Sequence, residues 1–140
     1  MTIDTAIQRI QTLALASSSD MKLAPDKPIT NAATLPVSLA HIGAGQFTAA
    51  NSTTNVFLPN IMVSFYFNQS WLKTALTQID AVVPAFANRL AGDPTLNGTV
   101  DTIVFPVTWT DLSPAELGGI DCLMVEFTIP IKTLETPVST

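Results

Sequence analysis

Between Lys27 and Lys73 the chain runs for 45 residues without one Asp, Glu, Lys or Arg. At the chain's own frequency of charged residues, about five or six would be expected there. The stretch reads as β-structure, with predicted strands at 35–50 and 56–67 joined by the polar cluster Asn51-Ser52-Thr53-Thr54-Asn55. That pattern is a long hairpin. Missing charge constrains such a hairpin strongly. A strand at a sheet edge presents unpaired N–H and C=O groups, and a monomer normally guards them with charge, most often Lys. These strands must therefore be covered within one subunit or meet a partner. We read them as meeting a partner.

The rest of the composition narrows the class. A chain of 140 residues is one domain's worth, and such a domain buries about 68–70% of its unfolded surface without disulfides or metals. Apolar residues make up 47% and charged residues 12%, half the usual charged share. That excludes disorder over most of the chain. Six bases, widely spread in a chain of net charge −5, make no footprint for nucleic acid. No run of about 20 apolar residues is present, so no membrane span is expected. Met1-Thr2-Ile3-Asp4 has neither the basic lead nor the apolar run of a secretory signal, and the single cysteine, Cys122, forms no internal bridge. An intracellular origin is expected. The Asn-x-Ser/Thr triplets at Asn51, Asn68 and Asn97 then count as chance.

The periodicities predict an α+β fold in the order α-β-β-α-β-β. Two main helices lie on one face of a largely antiparallel four-stranded sheet. Ile3, Ile7, Ile10 and Ala14 share a face of a first helix ending near residue 16, with Asp4 suited to its N-terminus. Residues 17–34, with Pro25 and Pro28, read as a long loop. Gly43-Ala44-Gly45 predicts a bend in the first strand, and Pro59 an edge or a bulge. Leu72, Leu76, Ile79, Val83, Phe86 and Leu90 form an apolar stripe on a second helix over 70–91, with Ser70 as N-cap and Gly92 as stop. Pro84 predicts a kink there, or two abutting helices. A second strand pair is expected over 99–133, with Ile103, Phe105, Val107 and Trp109 on one face and Leu123, Val125, Phe127, Ile129 and Ile131 on another. Residues 111–121 read as a loop and 134–140 as a flexible tail.

Catalytic chemistry is sparse. His41, the only histidine, sits among apolar residues with no zinc spacing near it. Cys122 reads as a small buried hydrophobe. A His41–Cys122 dyad requires only that folding bring the two together. Gly43-x-Gly45 lacks the third glycine of a dinucleotide fingerprint, because position 48 is Thr48. Asp111, Glu116 and Asp121 lack the spacing of a calcium loop. Asp80 and Asp93 would act as an acid–base pair only if the fold joined them. No cofactor and no metal is expected.

One segment carries a resemblance. The long helix running into Leu90-Ala91-Gly92-Asp93-Pro94-Thr95-Leu96-Asn97-Gly98-Thr99-Val100-Asp101-Thr102-Ile103 resembles the tail terminator (tail completion) proteins of long-tailed bacteriophages. Trp109, Gly118-Gly119-Ile120-Asp121 and Val125-Glu126-Phe127-Thr128-Ile129 add to it, and the likeness covers about residues 60–133. The resemblance implies a virion structural protein and not an enzyme. It implies a homo-oligomeric ring, usually a hexamer, at the head-proximal end of the tail. Such a ring caps the tail tube protein, stops its polymerisation and joins it to the neck or head connector protein, while DNA passes through the lumen without specific binding. The protein would be made in the host cytoplasm. Missing charge and loop length place the contacts in residues 21–34 and in the hairpin, at Ala44, Gly45, Gln46, Phe47, Ala49, Asn51, Asn55 and Phe57. A head–tail adaptor or tail-tube subunit is the alternative within the same class. A small enzyme or ligand-binding domain using His41 or Cys122 is the alternative outside it.

Overall fold

When two strands of alternating apolar pattern pair antiparallel, their apolar positions can share one face. Here Ile61, Val63, Phe65 and Phe67 stand opposite Ile129, Phe127, Val125 and Leu123, and all eight are buried. The computed structural model describes residues 3–18, 21, 35–49, 54–69, 72–117 and 119–135. Its elements are α1 (Ile3–Ala16), β1 (Val37–Ala49), β2 (Asn55–Asn68), α2 (Leu72–Ala91), β3 (Thr102–Ile103), β4 (Thr108–Trp109), β5 (Ser113–Leu117) and β6 (Ile120–Glu135). The sheet runs β1-β2-β6-β3, with β4 and β5 also paired to β6, and every pairing is antiparallel. The fold is α+β, as expected.

Both helices contribute to the same apolar cluster as this face of the sheet, α1 packing on β1 and α2 on β2. From α1 come Ala6, Ile7, Ile10, Leu13 and Ala14, and from α2 come Ala75, Val82, Phe86 and Leu90. At the centre, Phe65 of β2, Phe86 of α2 and Phe127 of β6 meet edge to face, with ring centroids 5.0–5.8 Å apart. Burying each ring contributes about 1.5–3 kcal/mol. Each edge-to-face pair adds about 0.5–1.5 kcal/mol. A smaller cluster of Val37, Leu39, Leu117 and Cys122 lies on the other face. Where α1 crosses β1, buried Gln11 accepts a hydrogen bond from Ser38 Oγ at 2.9 Å.

The expected bend in the first strand is a β-bulge. The β1–β2 register slips by one residue between Ile42 and Gly45, and Pro59 sits opposite Gly45. A Cβ on Gly45 would lie 2.5 Å from Pro59 Cα and 2.7 Å from the Leu58 carbonyl oxygen, so only glycine fits. The slip reverses which side chains face the helices. Before it, Ser38 and Ala40 oppose Phe65 and Val63; after it, Phe47 opposes Phe57.

Several expectations need correction. The sheet has six strands rather than four, in the order α-β-β-α-β-β-β-β. The predicted strand over 99–110 is broken. Between Thr102↔Lys132 and Thr108↔Thr128, six steps along the edge segment span four along β6. Val104 still donates to the Pro130 carbonyl at 2.8 Å, but Pro106 has no N–H to pair, and residues 105–107 bow off the ladder before Thr108 and Trp109 rejoin it, with Phe105 left exposed. The predicted loop 111–121 contains β5, whose hairpin with β6 pairs Leu117 with Ile120. The predicted tail begins too early, because Leu134 and Glu135 belong to β6. Asp101 Oδ2 accepts the Leu134 N–H at 2.5 Å and holds that end. α2 is one helix with Pro84 inside it, on an exposed position where the lost N–H bond costs least. Ser70, Asn51 and most of the expected loop 17–34 lie outside the described residues.

After α2 the chain turns on Asp93. Its Oδ2 accepts from Arg9 Nε at 2.8 Å, its Oδ1 from the Asn97 N–H at 2.8 Å, and its carbonyl from the Leu96 N–H at 2.9 Å. Leu96, Asn97 and Gly98 all take positive φ, at 49°, 57° and 79°. A left-handed leucine costs about 1–2 kcal/mol. Full burial of Leu96 and the bonds to Asp93 offset that cost.

Two outcomes follow from this packing. Gly45→Ala should lower the urea midpoint by the equivalent of about 1–3 kcal/mol, the size of an overpacked site. Gly43→Ala should cost less, because its new Cβ meets the movable Met62 side chain. Equal losses would show that the close approach at Gly45 does not matter. Partial dehydration tends to raise the Asp93 pKa, but the hydrogen bonds from Arg9 and Asn97 and the guanidinium charge outweigh it, so the pKa lies below its ordinary value. The folded state therefore holds this proton less tightly than the unfolded chain. Its stabilisation is complete above the ordinary carboxylate range, at about pH 4, and fades as pH falls through the lowered value. Asp93→Ala should cost about 1–2 kcal/mol at pH 7, the size of a lost cap and a partly exposed ion pair. Urea titrations should show that difference shrinking toward pH 3.

Candidate assembly interface

Beyond the bulge, the sheet continues as an arm of three long strands, with the short β3 paired to its β6 side. It comprises residues 45–49 of β1, 55–59 of β2 and 130–135 of β6. β1 forms its outer edge, and from Ala44 to Ala49 every residue is exposed. Ile42 and Phe47 are 53% and 55% exposed, and the Phe47 ring lies 4.8 Å from that of Phe57. Neither β1 nor β2 carries a formal charge. The edge is therefore apolar, uncharged and open to water, the condition that invites strand pairing or apolar docking.

The fold brings the expected interface residues together. Ala44, Gly45, Gln46, Phe47 and Ala49 line the exposed edge, while Asn51 lies outside the described residues. Asn55 and Phe57 are only half-buried companions, because β6 reaches far enough to pair with both. Asn55 stands between Ala49 and Glu135. On the strand surface around the bulge, a shallow cleft of about 370 Å³ is lined by Ala44, Gly45, Gln46, Leu58, Asn60 and Pro130, among others.

The residues with catalytic potential are kept apart. His41 opposes Met62, Met62 opposes Thr128, and Cys122 opposes Asn68. Six positions on β6 thus separate the two levels, about 20 Å along the strand. His41 and Cys122 form no dyad. His41 is exposed, with Nδ1 3.0 Å from the Ile42 carbonyl oxygen. Burial pushes the Cys122 thiol above its ordinary pKa; a backbone hydrogen bond from Leu117 opposes this, and the charge of Asp121 adds to it. Asp80 lies in the middle of α2 and Asp93 beyond its end, bound to Arg9. Among the described residues no group of three His, Cys, Asp or Glu side chains is placed to hold a metal, and no helix is long and apolar enough to cross a membrane.

Sequence reasoning missed a second apolar surface. Leu72 and Leu76 belong to the stripe expected in the core, yet both are exposed, while Ala75 and Val82 are buried in their place. With Ala75 and Val82, α2 has a wider apolar face than one sheet covers, a signal that was present in the sequence. Leu76, Ile79, Asp80, Trp109, Asp111 and Leu112 help line a groove of about 310 Å³ between α2 and the strand edge.

The buried thiol provides a direct check on this geometry. Cys122 should react with a thiol reagent at pH 8 far more slowly than a free cysteine does, and denaturant should restore the free rate. Fast reaction in the native protein would contradict its burial. The chain matches no protein-family model and no curated protein.

Proposed function

We propose that this protein is a ring-forming virion subunit, the terminator that caps a phage tail tube, stops its growth and joins it to the neck. The observation that carries this reading is the arm. An uncharged strand edge with an exposed Phe47 against a half-buried Phe57 is a poor surface for a permanent monomer and a good one for an assembly contact. The resemblance of residues 60–133 to tail terminators supplies the phage context, and the α+β class with two helices against a largely antiparallel sheet is compatible with it. A net charge of −5 suits a lumen through which DNA slides, since carboxylates repel phosphate.

Electron microscopy of purified tail tubes with and without the protein tests the reading. Rings seated on one tube end, with growth arrested, are expected. Rings bound at the connector alone would favour a head–tail adaptor, and unaltered tubes without rings would overturn the proposal. Ala49→Lys should abolish assembly while leaving the unfolding midpoint within about 0.5 kcal/mol of wild type, as for an exposed site. Asn55→Lys is the weaker probe, because its ammonium would sit opposite Glu135 and be partly neutralised.

A further inference from the structure

α2 leaves two of the six residues of its predicted apolar stripe outside the core. Leu72 and Leu76 are 54% and 40% exposed, and Trp109, 53% exposed, is anchored with its ring 5.6 Å from Phe127. Leu76 and Trp109 line the groove of about 310 Å³ between α2 and residues 109–112. In the sheet order, this groove belongs to the β4 side, and the arm's outer edge with Phe47 to the β1 side. One chain thus presents a projecting aromatic pair at one edge and an apolar groove at the other.

We propose that the arm of one copy docks into this groove on a second copy, with Phe47 and Phe57 against Leu76 and Trp109. The proposal rests on the ring-forming reading and adds which surface meets which. Electrostatics favours this occupant. Asp80 and Asp111 line the groove, so acidic surfaces are repelled, and this chain carries eleven acids against six bases. The arm strands β1 and β2 contain none of those acids, and the β6 part of the arm adds one acid, Glu135, and one base, Lys132. The outer edge of β1 also presents backbone N–H groups, which suit carboxylates as charge-assisted donors. Because the two patches differ and lie on opposite edges, one contact leaves an arm free at one end and a groove free at the other. Such a contact is head-to-tail, and copies add until the ring closes.

Sedimentation velocity on two full-length variants tests this. Phe47→Asp removes the arm's contact and keeps the groove; Leu76→Glu does the reverse. Both positions are exposed, and circular dichroism with thermal melting checks that each variant folds. Leu72→Glu, one turn along α2 from Leu76 and also exposed, provides a second variant on the groove side of the contact. Each variant alone should be monomeric at concentrations where wild type forms its closed oligomer. An equimolar mixture of Phe47→Asp and Leu76→Glu should form a dimer and stop there, because only one good contact can be made. A mixture that stays monomeric, both groove variants assembling like wild type, or a wild type that never associates would each overturn the proposal. Rings of Leu76→Glu that still cap tubes would overturn this contact and leave the tail reading standing. Wild-type rings that ignore tubes, with the mixture forming its dimer, would do the opposite.

Discussion

Three phenylalanine rings hold the layers together. Phe65 and Phe127 are neighbours across the two central strands, and Phe86 comes down on them from α2. Edge-to-face packing restricts both the distance and the tilt of the helix, so α2 has little freedom to slide along the sheet. With Ala75, Val82, Phe86 and Leu90 seated on the core, Leu72 and Leu76 are left on the water side of α2. The same anchor sets the polarity of the molecule. The helices, with Leu96, Val100 and Ile103, cover one face of the sheet as far as Ile131, and the β1–β2 hairpin beyond the bulge forms the exposed part of the arm.

The two sheet edges are treated differently. On the β6 side, the chain returns as three short pieces separated by slips in register and by Pro106, and breaks of that kind discourage strand addition. On the β1 side there is neither charge nor proline from Val37 to Ala49, only the bulge at Gly43-Ala44. One defended edge and one open edge suit a subunit whose neighbours arrive from a fixed direction. The bulge contributes by turning Phe47 onto the face of Phe57, so that two aromatic rings form one patch.

Much of this was legible before folding. The alternation of residues 61–67 and 123–131 has a period of two and survives as the buried sheet face. Ile7, Ile10 and Ala14 keep their predicted face on α1. Gly43-Ala44-Gly45 and Pro59 marked the bulge because each disturbs a ladder by local chemistry, through a missing side chain or a missing N–H. The candidate interface was legible for another reason: absent charge is a property of composition and needs no coordinates. The errors share one cause. Residues 99–110 alternate well enough to be a strand, but pairing depends on the partner's register, and Pro106 breaks it only once β6 lies alongside. Leu134 and Glu135 look like tail until Asp101 reaches across to the Leu134 N–H.

The residues alone determined the fold class, the helix and strand faces, the position of the bulge and the uncharged hairpin, since all of these follow from period, side-chain type and local backbone chemistry. Only the tertiary structure decided which apolar residues stay in water. It exposed Leu72, Leu76 and Trp109, set Leu76 and Trp109 in one groove with Asp80 and Asp111, and kept His41 away from Cys122. Burial is decided by which surfaces meet, and that depends on the seating of α2 on Phe65 and Phe127 and on the register of β6, neither of which a periodic pattern contains.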